Sequence, residues 1–291
     1  MRLTVDQPAL ADALTMISRF VPSRSSLPVL AGIRFDADDQ HLLLSATDLE
    51  IGLHRQLPVR VEEPGSIVVP ARHLTELVRR APAVPITLSV HTEQLAAHIA
   101  WPGSDFELQG MDPTQYPYIP DFPESPDKIM VVPAERLRIA LQHTLFAVSQ
   151  DESRPILTGV YLTLSPQGIQ ALSTDGFRIA CDASGDPMAE PHLSFVASGR
   201  SLGELVRVLD GQEEVELTVT ANQVHARVGT LHFFASLLQG EYPTVLRLVP
   251  TDYATTIVLS ARDLLASVER VALLAEERGH FHAVRLAADA Q

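Results

Sequence analysis

The chain repeats itself, with matching segments at a constant offset of 127 in residue number, and this repeat limits its possible folds more than any other feature. An apolar run followed by apolar residues at helical spacing extends from Leu3 to Ile17, and the same pattern returns from Met130 to Thr144. A third copy begins at Ile257 with the run Ile-Val-Leu, displaced from the second by the same offset. One offset kept across a strand, a helix and two turns predicts repeated domains of one structure.

Each repeat contains a shorter repeat at about half that offset, since the segment 68–74 resembles the segment 131–137. Alternating or apolar runs separated by Asp, Gly, Pro and Asn follow each predicted helix and indicate strands joined by hairpins. Short helices among several such strands are typical of the α+β class. We therefore predict repeated α+β domains, each built from two strand-helix-strands half-units.

Proline clusters mark the ends of the repeats. Five prolines lie within 113–126, which disfavours both a helix and a central strand and predicts an extended linker. The pair Tyr242-Pro243 repeats the pair Tyr116-Pro117 at nearly the same offset as the helices. We predict a first domain at 1–120, a second at 127–250, and the incomplete start of a third at 255–291.

The composition excludes several classes of protein. With 46% hydrophobic and 20% charged residues the chain is too apolar for disorder, and a net charge of −14 argues against a surface that coats nucleic acid or anionic membrane. The single cysteine, Cys181, excludes an internal disulfide, and its apolar strand predicts a small buried side chain. We find no secretory or membrane-spanning pattern, so we expect a cytoplasmic protein without a membrane partner.

Enzymatic motifs are missing from the sequence. The eleven histidines include the pair His91 and His98, but none has the i, i+4 spacing with an acidic partner that a zinc helix needs. No phosphate-binding glycine loop or nucleophile elbow occurs. We therefore expect no catalytic residues, no metal and no cofactor.

Segments along the whole chain together resemble one known family. In order they are RLTVDQPALADAL, SRSSLPVLAGIRF, VVPARHLTELVRR, RPILTGVYL, STDGFRIA and GEYPTVLRLVP, and they resemble the DNA polymerase III beta subunit family, the bacterial sliding clamps. Each motif alone is weak, whereas their order and spacing are specific. The resemblance implies a non-catalytic processivity factor of DNA replication that forms a head-to-tail ring of three-domain protomers around duplex DNA. It also implies repeated DNA-clamp domains with helices on one face and antiparallel sheets on the other, and sheets that are continuous across domains. It also implies a peptide cleft for the DNA polymerase III alpha subunit, the clamp loader and other clients.

The third repeat departs from this pattern, because it occupies only 255–291. The resemblance therefore predicts a homodimer if the third domain is completed, and a cleft that lacks its C-terminal wall. Two alternatives stay open. One is a truncated clamp-like protein that binds client peptides without closing a ring, and the other, from a different class, is a β-rich enzyme without a recognised motif.

The predicted helices are more basic than the rest of the chain, summing to +4 against −18 elsewhere. This segregation suits helices that face DNA phosphates, although ordinary solvated helix faces give the same pattern. The loop positions 24 and 150 are added because they match DNA-contacting positions of the family. The predicted DNA-binding residues are Arg24, Arg72, Arg79, Arg80, Arg138, Gln150, Arg200 and Arg207.

The turn T-D-G-F-R-I of the second repeat combines an Asp-Gly turn with aromatic, basic and aliphatic side chains, which suits an apolar groove with a polar anchor. Phe177 stands where the family commonly has His. By resemblance, the cleft residues are Leu157, Thr174, Gly176, Phe177, Arg178, Ile179, Pro243, Arg247 and Leu248. Matching positions place the dimer interface at Phe106, Leu108, Leu273 and Leu274, where core packing is an equal alternative.

Overall fold

The computed structural model describes residues 1–91, 94–123, 129–185, 192–273 and 284–287. Contacts divide the chain into one compact unit, Met1–Pro243, and a second unit, Thr244–Gln291. Among the described residues, no helix combines the length and the hydropathy needed to cross a membrane.

The regular elements of the first repeat are β1 (Arg2–Asp6), α1 (Gln7–Ile17), β2 (Gly32–Ala37), β3 (His41–Thr47), β4 (Ile51–Pro58), β5 (Arg60–Glu63), β6 (Gly65–Pro70), α2 (Ala71–Arg80), β7 (Pro85–His91), β8 (Ala96–Trp101) and β9 (Ser104–Gln109). Those of the second repeat are β10 (Met130–Pro133), α3 (Ala134–Gln142), β11 (Gly159–Ser165), β12 (Gly168–Thr174), β13 (Ile179–Ala183), β14 (Leu193–Ser198), α4 (Gly199–Val208), β15 (Glu214–Val219), β16 (Gln223–Val228) and β17 (Leu231–Ser236). The second unit contains α5 (Ala261–Ala272).

The described strands form three antiparallel sheets. Five strands pair in the order β5-β1-β7-β8-β9, four in the order β13-β12-β11-β14, and eight in the order β10-β15-β16-β17-β4-β3-β2-β6. Short helices pack on these sheets, so the predicted α+β class is confirmed.

The eight-stranded sheet joins the two repeats. Strand β17 of the second repeat pairs antiparallel with β4 of the first, from Leu231 opposite Arg55 to Ala235 opposite Ile51. The sheet continuity that the family resemblance implied is therefore confirmed at this junction. We call the β4–β17 pairing the seam. Because the sheet crosses the junction, Met1–Pro243 form one body, and its division into two domains stays a prediction.

The helices use the repeated apolar positions as the sequence predicts. In α1, Leu10 and Leu14 are fully buried, and their equivalents in α3, Leu137 and Leu141, are buried as well. Each such leucine stabilises the fold by about 1.5–3 kcal/mol relative to an exposed one. Helix α1 packs on β4 and α4 packs on β17, so helices of both repeats lie on the same face of the seam.

The second unit differs from the prediction. The helix α5 forms, and the hydroxyl of Ser260 accepts a hydrogen bond from the backbone N–H of Asp263 at 3.4 Å. The predicted strand at Ile257 is wrong, because residues 255–260 have no strand structure. In the first two repeats the equivalent strands, β1 and β10, pair with later strands of their own repeat. The described part of Thr244–Gln291 contains no strand that could serve as such a partner.

The prediction for Cys181 is also wrong, since its side chain is exposed. It lies on β13, an edge strand of the four-stranded sheet. The neighbouring Ala180 is buried, and successive side chains of a strand point to opposite faces. The alternation therefore places Cys181 towards solvent.

Candidate functional site

The turn between β12 and β13 is built by two side chains. The carboxylate of Asp175 accepts hydrogen bonds from the backbone N–H groups of Phe177 at 2.9 Å and Arg178 at 3.0 Å. The hydroxyl of Thr174 donates to the carbonyl of Arg178 at 2.7 Å and accepts from the N–H of Gly176 at 3.0 Å. Gly176 has a φ of 91°, which an L-residue rarely adopts. These bonds hold the residues that follow Asp175 at the protein surface.

The first repeat forms the same turn between β3 and β4. The carboxylate of Asp48 accepts from the N–H of Ile51 at 2.9 Å, and the hydroxyl of Thr47 donates to the carbonyl of Ile51 at 2.7 Å. Leu49, at the position of the glycine, has a φ of 81°. Thr and Asp therefore have the same structural role in both repeats. Ile51 is buried in the first repeat, whereas the second repeat places an exposed arginine there.

Exposed aromatic and basic side chains surround the second turn. Phe177 is 82% exposed and Phe146, in the 3₁₀ turn Leu145–Ala147, is 63% exposed. The guanidinium of Arg178 lies 5.9 Å from the centre of the Phe146 ring, and its Nε lies 3.0 Å from Asp175 Oδ2. The sequence reasoning missed Phe146. Its only signal is a large aromatic residue just after a predicted amphipathic helix.

Tyr242 joins this turn to the start of β11. The N–H of Thr174 donates to the hydroxyl of Tyr242 at 3.1 Å, and this hydroxyl lies 3.5 Å from the carbonyl oxygen of Gly159. Leu157, which precedes β11, is buried. Of the predicted cleft residues, five lie at this turn, namely Thr174, Gly176, Phe177, Arg178 and Ile179. Pro243 directly follows Tyr242 in the sequence, and Leu157 lies in the 3₁₀ turn before β11. Arg247 and Leu248 are exposed in the second unit.

Most of the predicted DNA-binding arginines on helices have acidic partners. On α2, Glu76 lies 3.6 Å from Arg79 and 3.0 Å from Arg80. On α3, Arg138 forms a bidentate ion pair with Glu135, in which Nε and Nη2 donate to the two carboxylate oxygens at 2.6 and 2.7 Å. The Arg138 side chain is only 21% exposed. The net charge of +4 already includes these two glutamates, and the structure places them directly beside the arginines.

Helix α4 shows the same compensation. Arg207 Nε lies 3.6 Å from the carboxylate of Glu204 in the same helix. Arg200 pairs with Asp48 and lies 3.7 Å from Glu50, both in the first repeat. Arg200 therefore links the two repeats.

Two predicted arginines form no ion pair within the described part of the chain. Arg24 is exposed in the loop after α1, and Arg72 is exposed on the first turn of α2. Arg72 borders a groove of about 420 Å³, which is also lined by Ser18, Thr75, Glu76 and Arg80. Gln150 is exposed in the loop after α3. The guanidinium groups of Arg24 and Arg72 are the ones best placed to meet an external anion.

The predicted interface residues are largely at the surface. Phe106 and Leu108 lie on β9, an edge strand. Phe106 is 40% exposed and packs 5.0 Å from the ring of Trp101, whereas Leu108 packs partly against the core. Leu273, just after α5, is 85% exposed. Leu274 lies outside the described residues.

Three histidines that the sequence reasoning did not connect lie side by side at the seam. His232 on β17 is directly opposite His54 on β4, and their rings stack with centroids 5.5 Å apart. His225 Nδ1 on β16 lies 3.1 Å from His232 Nε2. Burial lowers the pKa of His225 to about 4 and that of His232 to about 3, and it lowers the pKa of His54 as well. All three imidazoles are therefore neutral at pH 7.

The linker covers this histidine cluster. The Phe122 ring meets the His232 ring edge-on at 5.4 Å, and the guanidinium of Arg227 lies 4.2 Å from the centre of the Phe122 ring. His54 Nε2 is buried without a hydrogen-bond partner among the described residues. Burial lowers the pKa of His54 by more than the nearby backbone of Pro120 raises it. Across the described ranges no three His, Cys, Asp or Glu side chains are arranged to hold a metal ion.

Comparison with known proteins identifies the family. Residues 1–120 match the family described as DNA polymerase III beta subunit, N-terminal domain, and residues 131–244 match its central domain. The beta sliding clamp of Bacillus subtilis is 32% identical over 298 residues, which cover 99% of this chain and 78% of the relative. The chain belongs to the DNA polymerase III beta subunit family. A beta sliding clamp of Staphylococcus epidermidis is 30% identical over 96% of this chain and 76% of its own length.

Solved structures of beta sliding clamps share the fold. The crystal structure of the Bacillus subtilis clamp superimposes with a TM-score of 0.89 at 30% identity, covering 96% of this chain and 75% of that one. The DNA polymerase III beta subunit of Pseudomonas aeruginosa gives a TM-score of 0.89 at 27% identity, covering 96% and 76%. As a member of this family, the chain functions as a sliding clamp in DNA replication. It favours neither the truncated alternative nor an unrecognised β-rich enzyme.

Proposed function

We propose that the chain encircles duplex DNA as a sliding clamp of DNA polymerase III and docks the polymerase and other clients through short peptides. The observation that carries the proposal is the seam. It fuses two repeats into one sheet, with α1 and α4 on the same face. A continuous sheet that supports helices of successive domains on one side suits a ring that presents helices to DNA and its sheet to solvent.

The DNA contacts in this proposal are weak and independent of sequence. Arginines near phosphates supply such affinity without reading bases. Arg24 and Arg72 are the strongest candidates because their guanidinium groups have no acidic partner within the described part of the chain. The remaining candidates, whose contribution is smaller or indirect, are Arg79, Arg80, Arg138, Gln150, Arg200 and Arg207.

The peptide cleft in this proposal surrounds the second Thr-Asp turn. We assign Leu157, which is buried, to the apolar floor of this cleft, and the exposed Phe146 and Phe177 to its border. Arg178, which lies beside the Phe146 ring, is assigned as the cation at its edge. An apolar groove with one polar anchor suits a short linear peptide that ends in large apolar side chains. The proposed clients are the DNA polymerase III alpha subunit, the clamp loader and other proteins with such a peptide. The resemblance also suggests Arg247 and Leu248 as peptide-binding residues, and these two lie in the second unit.

The ring in this proposal is a homodimer with three domains in each protomer, divided at 1–120, 127–250 and 255 onwards. The proposed contact joins edge strand β9 of one protomer, with Phe106 and Leu108, to residues of the next protomer that follow α5 in the sequence, Leu273 and Leu274. The proposal assigns no catalytic step, no metal and no cofactor to the chain, and it places the chain in the cytoplasm.

Retention on DNA tests the proposal. The chain is loaded with its clamp loader on a nicked circular plasmid and passed over a sizing column, and then the plasmid is cut once and the column is repeated. A ring stays with the circle and is lost from the linear DNA, because its hold is topological. Equal loss from both forms of DNA, or equal retention on both, contradicts the proposal.

A further inference from the structure

Two tyrosine hydroxyls occupy equivalent places in the two repeats. The hydroxyl of Tyr116 lies 3.4 Å from the carbonyl oxygen of Gly32, and that of Tyr242 lies 3.5 Å from the carbonyl oxygen of Gly159. Each tyrosine precedes a proline in the linker that follows its repeat. The repeated fold therefore uses a tyrosine to fasten each linker to its domain.

The surroundings of the two tyrosines differ. Tyr116 is buried against Val29, Leu30 and Phe234. Tyr242 is half-buried, and its ring stacks on that of Tyr161 with centroids 5.6 Å apart and planes inclined by 14°. The first tyrosine thus belongs to a core, while the second lies at the surface beside the proposed cleft.

The Tyr242 hydroxyl bridges two parts of the proposed cleft. It accepts the N–H of Thr174 at 3.1 Å, at the end of β12, and lies near the carbonyl of Gly159, at the start of β11. The hydroxyl of Thr174 in turn fixes Gly176 and Arg178. Burial raises the pKa of Tyr242 to about 12, so the phenol keeps its proton at neutral pH.

We infer that Tyr242 is a positioning residue of the peptide cleft, whose hydroxyl holds Pro243 at a set distance from the turn that carries Arg178. The inference rests on the proposed function, because it concerns the same cleft. Tyr242 acts through its neighbours: Thr174 transmits the constraint to the turn, and the peptide bond to Pro243 transmits it to the linker. The sequence carries a signal for it, the Tyr-Pro pair that recurs at the end of each complete repeat.

The substitution Tyr242→Phe tests this role with little disturbance, because it keeps the ring stacked on Tyr161 and removes only the hydroxyl. The matched control is Tyr116→Phe, which removes the equivalent hydroxyl in the repeat for which no cleft is proposed. The probe is a fluorescein-labelled peptide Gln-Ala-Ala-Leu-Phe. The measurements are its Kd by fluorescence polarisation, the Tm of each variant, and the hydrogen-exchange rate of the Thr174 amide.

We expect Tyr242→Phe to raise the Kd of the peptide by about three- to tenfold, the range expected for one lost hydrogen bond. The Thr174 amide of this variant should exchange faster. Tyr116→Phe should bind the peptide as the wild type does. Because both variants lose one hydroxyl, a change in Tm alone does not separate them, whereas the Kd does.

Three outcomes overturn the inference. If Tyr242→Phe binds the peptide as tightly as the wild type, Tyr242 does not position the cleft, and the proposed function still stands. If Tyr116→Phe weakens binding equally, the effect is a general loosening of the fold. If the wild-type chain does not bind the peptide, the inference fails together with the proposed docking function.

Discussion

The guanidinium of Arg200, on α4 of the second repeat, forms an ion pair with the carboxylate of Asp48, in the first Thr-Asp turn. The same carboxylate accepts hydrogen bonds from the backbone of Glu50 and Ile51. The pair therefore ties a helix of one repeat to the turn of the other, beside the seam. A residue chosen from the sequence for DNA contact thus holds the junction of the repeats.

Replacing Arg200 with Ala should lower the free energy of unfolding by about 1 kcal/mol or less, because its side chain is 60% exposed and such pairs contribute little. DNA affinity at low salt should fall less than it does in Arg72→Ala. Urea unfolding and fluorescence anisotropy of a labelled duplex measure the two effects. The control is Arg207→Ala, which breaks a pair within α4 only. A loss of DNA affinity as large as that of Arg72→Ala would contradict this assignment.

Replacing Arg72 with Ala should weaken binding to duplex DNA equally for all sequences. It should also reduce the slope of log K against log salt by about 1, since one phosphate contact is lost. The measurement is anisotropy of two unrelated duplexes between low and moderate salt. Arg60, exposed on strand β5 of the five-stranded sheet, provides the control. An equal change in slope for Arg60→Ala would show that the effect reflects net charge alone.

Replacing both Arg178 and Leu157 with Ala should abolish measurable binding of a Gln-x-x-Leu-Phe peptide. The change removes the polar anchor and part of the apolar floor of the proposed cleft. Leu157→Ala also costs about 2–5 kcal/mol of stability if its site does not collapse. Leu30→Ala, the equivalent buried position of the first repeat, therefore serves as the stability-matched control. Unchanged affinity of the double variant would place the peptide site elsewhere.

The histidine cluster at the seam predicts a loss of stability in acid. Burial lowers the pKa of His225 to about 4 and of His232 to about 3 in the folded chain. A histidine of an unfolded chain has a pKa near 6.5. Their stabilisation is therefore fully present above about pH 6.5 and decreases as the pH falls towards 4, by about 1.4 kcal/mol per pH unit for each histidine.

Urea unfolding between pH 7.5 and 4.5 measures this dependence. The slope of the free energy of unfolding against pH reports how many protons the chain takes up on unfolding, and His232→Phe should reduce that number by about one in this range. The control is His73→Gln, which also removes one histidine, but at an exposed position of α2. It should leave the slope as it is. If both variants keep the wild-type slope, the acid sensitivity does not come from the seam.

The repeat made most of the local structure predictable. Its constant offset places Leu137 and Leu141 where Leu10 and Leu14 are, and all four are buried. Local hydrogen bonding explains why the Thr-Asp turns were predictable, since each turn is closed by side chains that bond to backbone groups close by in the sequence. Helical spacing and turn chemistry depend on neighbours in the sequence, so a single sequence carries them.

Long-range pairing was harder to predict. His54 and His232 belong to different repeats, and only the register between β4 and β17 makes them neighbours. The net charge of a helix does not show which side chains meet, so the pairing of Arg200 with Asp48 of the other repeat was not predictable. The strand predicted at Ile257 failed because a strand needs a partner, and its apolar run alone does not provide one.

The seam also sets how the molecule responds to force. Under the proposed function, a docked polymerase that moves along DNA pulls on the clamp, and we expect part of this load to fall on the junction of the two repeats. Five residue pairs, from Leu231 opposite Arg55 to Ala235 opposite Ile51, lie side by side across the seam. Under a pull along the strands these pairs share the load and must break together. We therefore expect the β4–β17 junction to resist tension as a single mechanical unit.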